Sequence, residues 1–136
     1  ARTAVKPGDL LKHLNAQLRR RALLVGCDAR AAIEAAKLLE SDYRGEAFRD
    51  AAKEHVQGNH DILVLTKPDL VTKIHKDYLR AGCDIVGTNT LAGTVVSQAA
   101  LGVDCYELNR AAAQLAKAAA AEVTKEETGG PRFVAG

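Results

Sequence analysis

Three short apolar runs recur along this sequence with helix-like segments between them, and this alternation limits the folds available to the chain. The runs are "ALLVG" at 22–26, "CDIVG" at 83–87 and "RFVAG" at 132–136. Short apolar runs bounded by Gly are typical of buried strands. Strands that alternate with helices pair in parallel, because the chain crosses back over the sheet between them. The sequence therefore predicts an α/β fold with about three parallel strands and covering helices.

Helical periodicity marks the segments between the runs. Five segments have apolar spacing that predicts helices: 7–21, 28–40, 66–80, 93–102 and 104–127. Asp28 is the expected N-cap of the second helix. Thr66 is the expected N-cap of the third, with Pro68 in its first turn. The polar stretch 41–61 predicts a long excursion with one helical turn, typical of a functional loop or a contact surface.

The order of these elements indicates a larger architecture. Three parallel strands are too few to close a barrel, and the order fits the N-terminal portion of a (β/α)8 TIM-type barrel. We expect residues 1–21 to form an arm and helix, and 22–136 to form a partial barrel domain. Ligand sites of such barrels lie at the C-terminal ends of the strands. This rule places 26–28 and 87–90 on one functional edge.

Charge, cysteine and hydropathy patterns argue against several functional classes. A net charge of +2 is too small to predict nucleic-acid binding, and the run 19–21 of arginines is best explained as the end of a helix. No stretch approaches the length of a membrane span. Cys27, Cys83 and Cys105 have no metal-ligand spacing, so buried thiols and no metal site are expected.

Two groups of polar residues are candidates for binding a substrate. Asp28 could bind an amino group, and the simpler alternative is the N-cap role. Thr88, Asn89 and Thr90 follow the second strand and could contact a ligand. Their alternative is to cap the next helix and satisfy backbone groups at the turn.

Specific strings then resemble a known family. "SDYRGEAF", "QGNHDILVLTKPDLVTKIHKDYLRAGCDIVGTNT", "YELNRAAAQLAKAAAAEVT" and "PRFVAG" resemble the N-terminal homocysteine-binding domain of cobalamin-dependent methionine synthase, in the same order. The resemblance implies a (β/α)8 barrel that binds homocysteine as a zinc-activated thiolate. That thiolate takes a methyl group from methylcobalamin. Zinc and cobalamin are implied only for a complete family member, and substrate contacts are implied for Asp28 and 88–90.

The departures from the family pattern concern the same two strand ends. Where the family has an Asp-Gly-Ala-Met-Gly-Thr motif, this chain reads "GCDARA" at 26–31, so Gly26 replaces the Asp. Arg30 brings a long cation where the family has Gly, and we expect it to block a pocket. Gly87 replaces a family Glu, and Leu91 a family Phe. The family's zinc cysteines lie in later strands, so no catalytic or metal residue is assigned here.

These observations support two functional interpretations. In the first, the chain is the homocysteine-binding front of a methyltransferase and is inactive alone, with the rest of the barrel elsewhere. In the second, it is a non-catalytic subunit of a larger assembly derived from that domain. The family favours the cytoplasm, whereas the basic N-terminal arm leaves a mitochondrial or other organellar matrix open.

Overall fold

The computed structural model describes residues 7–19, 23–26, 28–50, 55–126 and 130–136. In chain order the elements are α1 (Pro7–Leu18), β1 (Val25–Gly26), α2 (Arg30–Ala35), α3 (Glu40–Arg44), α4 (Leu63–Thr66), α5 (Pro68–Arg80), β2 (Ile85–Gly87), α6 (Val95–Gln98), α7 (Cys105–Glu126) and β3 (Phe133–Ala135). Two 3-10 turns, His60–Ile62 and Ala99–Leu101, lie directly before α4 and directly after α6.

The strands form one parallel sheet in the order β1-β2-β3, which confirms the predicted fold class. Val25 pairs with Ile85, and Ile85 pairs with Phe133. The buried Asp84 joins the three strands at their N-terminal ends. Its carboxylate accepts the Leu24 N–H at 3.0 Å, and its backbone carbonyl accepts the Phe133 N–H at 2.8 Å. This layer stabilises the sheet at the edge opposite the strands' C-terminal ends.

The contact between α5 and α7 forms much of the core. The face of α7 that turns inward carries small buried side chains, among them Ala112, Ala116 and Ala119. Small residues let a neighbouring helix approach closely, so the bulkier Val71 and Leu79 of α5 can pack there. The Ala-rich composition therefore serves the packing of two long helices.

Several predicted elements are confirmed with small changes of boundary. Helix α5 runs to Arg80 and is closed at Gly82, whose φ of +107° suits a residue without Cβ. The prediction of Thr66 as its N-cap is wrong, because Lys67 holds that position. Thr66 instead ends α4, and its hydroxyl donates to the Ile62 carbonyl at 3.3 Å.

The first strand differs from its prediction. Strand β1 covers only two residues, and Leu24 and Val25 are 54% and 57% exposed, so it is not the buried strand that the apolar run indicated. The physical reason is position: β1 lies at the edge of the sheet, and only Gly26 is fully covered. An apolar run predicts a strand but not which strands flank it.

The second helix is also shorter than predicted. The segment 28–40 was expected to be one helix, yet α2 stops at Ala35 and α3 begins at Glu40. Lys37 has a φ of +51°, a left-handed conformation that ends an α-helix. Leu39 lies beyond the end of α2 and is 65% exposed.

Part of the excursion at 41–61 packs into the core, because Tyr43, Phe48 and Val56 are buried. Its interpretation as a functional loop or a contact surface stays a prediction. Glu40 fixes the far end, since its carboxylate accepts the backbone N–H groups of Val56 at 3.0 Å and Gln57 at 2.7 Å. Both hydrogen bonds lower the pKa of Glu40, and the one from Val56 has the larger effect.

Some predictions fall on residues outside the described ranges. Cys27, most of the arginine run 19–21 and the expected boundary between residues 21 and 22 lie there. Within the described ranges, no helix is both long and apolar enough to cross a membrane. Cys83 and Cys105 are half-buried rather than buried as expected.

Candidate functional site

An open cleft of about 1430 Å³ lies at the C-terminal ends of the three strands. Asp28, Thr88, Asn89 and Thr90 all line it, as does Gly136 just after β3. The predicted sharing of one edge by both strand ends is therefore confirmed. Their role in binding a substrate stays a prediction.

The residues after β2 are held in place by their own polar groups. The Thr88 N–H donates to the Ala135 carbonyl at 2.8 Å, which extends the β2–β3 pairing. The Thr88 and Thr90 hydroxyls share one hydrogen bond of 2.7 Å. Asn89 donates its side-chain amide to the His60 carbonyl at 2.7 Å. The turn role predicted for these residues is thus present.

The alternative cap role is wrong for these three residues. Helix α6 is capped by Thr94, whose hydroxyl oxygen accepts the Ser97 N–H at 3.2 Å. Four residues, 91–94, separate Thr90 from the start of α6, so the side chains of 88–90 do not cap its first turn. The Thr88 and Thr90 hydroxyls therefore have no capping role in α6.

A buried amide pair joins the excursion to α6. Asn59 donates to the Gln98 side-chain oxygen at 2.7 Å, and Gln98 donates to the Ala92 carbonyl at 3.0 Å. Gln98 is 1% exposed, so these are desolvated hydrogen bonds that are costly to leave unmade. This pair fixes the cleft wall formed by 59–61 against the segment 88–92.

Asp61 completes the same wall with a carboxylate. Its Oδ2 accepts the Ala92 N–H at 2.6 Å, and the residue is only 4% exposed. Burial raises the pKa of Asp61 and outweighs the opposing effects of the Ala92 N–H and of His60. The cleft wall thus contains a buried carboxyl group whose ionised form is disfavoured by loss of solvation.

An aromatic contact orients the remaining part of this wall. The rings of Tyr43 and His60 stack with centroids 6.1 Å apart and an angle of 25° between their planes. Both residues line the cleft. The stack places an imidazole on the cleft surface and explains why the excursion must be buried at Tyr43.

The end of β1 is built differently. A Cβ added at Gly26 would lie 2.7 Å from the Tyr78 ring and 2.9 Å from the Cys83 Sγ. The space that a side chain at this position would need is therefore filled. The Tyr78 hydroxyl donates to the Asp28 carbonyl beyond the strand.

Asp28 and Arg30 lie on the outer part of the cleft. Asp28 is exposed, and its Oδ1 accepts the Arg30 N–H at 2.9 Å. The N-cap itself is Ala29, so Asp28 supports the start of α2 from one residue farther away than expected. Arg30 pairs with Glu34 at 2.8 Å and is 73% exposed, so its guanidinium is turned toward α2 at the cleft edge.

Sequence reasoning missed four residues of this site. Asn59 and His60 stood out only as part of a family string, and Asp61 and Gln98 were not singled out. Their partners lie 29 to 39 residues away along the chain, so no local spacing reveals them. One signal was present: Gln98 is an amide in a mostly apolar helical segment, with Val95 and Val96 before it and 99–101 apolar after it.

Other polar residues lie away from the cleft. Glu107 and Arg110 form an exposed pair at 3.0 Å on α7. His75 is packed on α5 and is 3% exposed. Within the described part of the chain, no three His, Cys, Asp or Glu residues are grouped to hold a metal ion.

Comparison with known proteins agrees with this arrangement. A family model described as homocysteine S-methyltransferase matches residues 23–136. Among solved structures, the chain is similar to the homocysteine methyltransferase MmuM from Escherichia coli in its metallated form, with 25% identity and a TM-score of 0.68. The similarity covers 90% of this chain and 40% of the Escherichia coli chain, so this chain spans less than half of that protein's length.

Proposed function

The chain belongs to the homocysteine S-methyltransferase family, and from this premise we propose that its cleft binds homocysteine as part of a methionine synthase-type enzyme. The observation that carries the proposal is the meeting of Asp28 with Thr88, Asn89 and Thr90 around one cleft at the strand ends. Ligand sites of barrel enzymes lie at this edge. The chain by itself transfers no methyl group.

The chemistry of the cleft suits an amino acid. Homocysteine carries an ammonium and a carboxylate, and the cleft is lined by Asp28 and Asp61 as well as by Arg30 and Lys37. The hydroxyl pair adds a neutral donor. Two hydroxyl groups that share one hydrogen bond retain one hydrogen, which can be donated to a substrate carboxylate.

Methyl transfer needs more than binding. A thiol is a weak nucleophile until it loses its proton, and zinc coordination achieves this by stabilising the thiolate. The described residues do not fit a zinc site, since they contain no group of three suitable side chains. Under this proposal, zinc and cobalamin act in a complete enzyme, and this chain contributes substrate binding in the cytoplasm or an organellar matrix.

A second candidate function is that of a non-catalytic subunit in a larger assembly. The specific observation in its favour is the β1 end, where Tyr78 and Cys83 fill the space beside Gly26. Leu24 and Val25 at the sheet edge are also more than half exposed, and such an edge can pair with the rest of a barrel or with another protein.

Two measurements separate these functions. The native mass of the particle purified from its source, with each polypeptide identified by mass spectrometry, shows whether residues 1–136 belong to a barrel-length chain. Isothermal titration of the 136-residue chain with L-homocysteine tests the cleft directly. Binding supports the first proposal, whereas a short chain among unrelated proteins with no homocysteine binding supports the second.

A further inference from the structure

Asp61 is the most deeply buried carboxylate on the cleft wall. It is 4% exposed, whereas Asp28 on the same cleft is an exposed residue. Its carboxyl group is hydrogen-bonded by the backbone at Ala92 and Leu91 and neighbours the His60 imidazole, and none of the ion pairs formed by the described Lys and Arg residues includes it. The cleft wall therefore contains a buried carboxyl group without a Lys or Arg partner among the described residues.

The surroundings of Asp61 connect it to the predicted substrate residues. Asn89 donates to the carbonyl of His60, the residue before Asp61, while Asp61 accepts the Ala92 N–H. Segment 88–92 is thus fastened at both ends to the segment that carries the carboxylate. The hydroxyl pair of Thr88 and Thr90 and the Asp61 carboxylate consequently lie along one continuous stretch of the cleft wall.

We propose that Asp61 is the residue that receives the ammonium group of the amino-acid ligand, an inference that rests on the proposed homocysteine binding. A charge-assisted hydrogen bond is stronger in a desolvated site than at an exposed one. The ligand's ammonium group supplies the cationic hydrogen-bond donor that no described Lys or Arg side chain offers to this carboxylate. Asp28, which water screens, contributes much less to recognition of the amine.

The burial of Asp61 also explains how the cleft distinguishes its ligand. Burial raises the pKa of the Asp61 carboxyl and outweighs the opposing effects of the Ala92 N–H and of His60. Binding of an ammonium reverses that effect. A ligand that carries the same thiol and carboxylate but no amine offers no such compensation.

The test compares two ligands by isothermal titration: L-homocysteine and 4-mercaptobutyrate, which lacks only the α-amino group. The intact 136-residue chain is expected to bind homocysteine about 10- to 100-fold more tightly. Asp61→Asn retains a side-chain oxygen for the Ala92 N–H and removes the charge. It is expected to abolish this preference while affinity for 4-mercaptobutyrate changes less than about threefold. Asp104→Asn is the matched control, because this exposed carboxylate also accepts backbone N–H groups but lies outside the cleft lining, and it is expected to keep the preference.

Each other result overturns the inference in a distinguishable way. If the unmodified chain shows no homocysteine binding, the proposed function fails with it. If homocysteine binds but Asp61→Asn weakens both ligands equally, Asp61 is structural and only this inference fails. If Asp28→Asn abolishes the preference, the amine partner is Asp28. Should Asp61→Asn not fold, the carboxyl ¹³C resonance of Asp61 in the unmodified chain decides. It shifts with homocysteine and not with 4-mercaptobutyrate if the inference holds, and shifts equally with both if it does not.

Discussion

The ends of β1 and β2 face the same cleft, but they are held by different kinds of interaction. After β2, Asn89 and the Asn59–Gln98 pair connect the rim to distant segments through short hydrogen bonds. After β1, packing decides the geometry, because the Tyr78 ring lies where a side chain at Gly26 would be. One strand end is specified by polar partners and the other by excluded volume.

This difference determines what each strand end depends on. The polar residues after β2 satisfy backbone groups as well as lining the cleft, so the fold itself depends on them. At the end of β1 the space beside Gly26 is filled by Tyr78 and Cys83, so a side chain there would overpack it.

The largest change in the free energy of unfolding is expected after β2, where hydrogen bonds hold the strand end. Gln98→Leu keeps the approximate volume but removes a buried amide, so the half-buried Asn59 amide and Ala92 carbonyl lose their partner. The free energy of unfolding, measured by urea denaturation, should fall by about 2–4 kcal/mol. Gln57→Leu is the matched control, since this exposed glutamine makes one bond to Leu38 and its replacement should cost less than about 1 kcal/mol. Equal losses in both variants would contradict the comparison.

The next largest effect is expected at the end of β1, where packing sets the geometry. Gly26→Ala adds a Cβ that would lie 2.7 Å from the Tyr78 ring, so overpacking should lower the free energy of unfolding by about 1–3 kcal/mol. In a Tyr78→Ala background the same substitution should cost less than half as much, because the ring is gone. A neutral or stabilising Gly26→Ala, as expected for Gly→Ala without steric conflict, would show that excluded volume does not set this end.

The sequence predicted more of the fold than of the site. The elements β2, α5, α7 and β3 were predicted because their periodicity and their Gly or Pro boundaries are local signals. The helix over 28–40 was predicted too long, since nothing local reveals the left-handed φ of Lys37. The cleft wall at Asp61 and Gln98 depends on contacts across 31 and 39 residues, and tertiary structure alone brings those groups together.

A pH experiment sharpens the comparison further, because α5 carries both His75 and Tyr78. Burial lowers the pKa of His75, and its Nε2 has no hydrogen-bond partner among the described residues. Below pH 6.5, the ordinary pKa of the group, the unfolded chain binds a proton that the folded chain does not. His75 should therefore make the free energy of unfolding decrease as pH falls below that value, by at most about 1.4 kcal/mol per pH unit.

Urea denaturation between pH 7.5 and pH 5 checks this. His75→Gln should remove this dependence of the free energy of unfolding on pH. His55→Gln, at a side chain that is 93% exposed, should retain it. Hydrogen exchange at acid pH should then increase first in α5 and at the β1 end that Tyr78 holds. Exchange that increases first at segment 88–92 would show that α5 controls the other strand end instead.

The smallest effect is expected for Asp28→Ala. The Asp28 carboxylate accepts one backbone N–H, that of Arg30, and lies in solvent. Loss of such a bond at the start of the short helix α2 should lower the free energy of unfolding by about 0.5 kcal/mol. The Tyr78 bond to the Asp28 backbone carbonyl should persist, because the substitution leaves that group in place. A loss as large as that of Gln98→Leu would mean that the β1 end also depends on polar contacts, and the distinction between the two strand ends would fail.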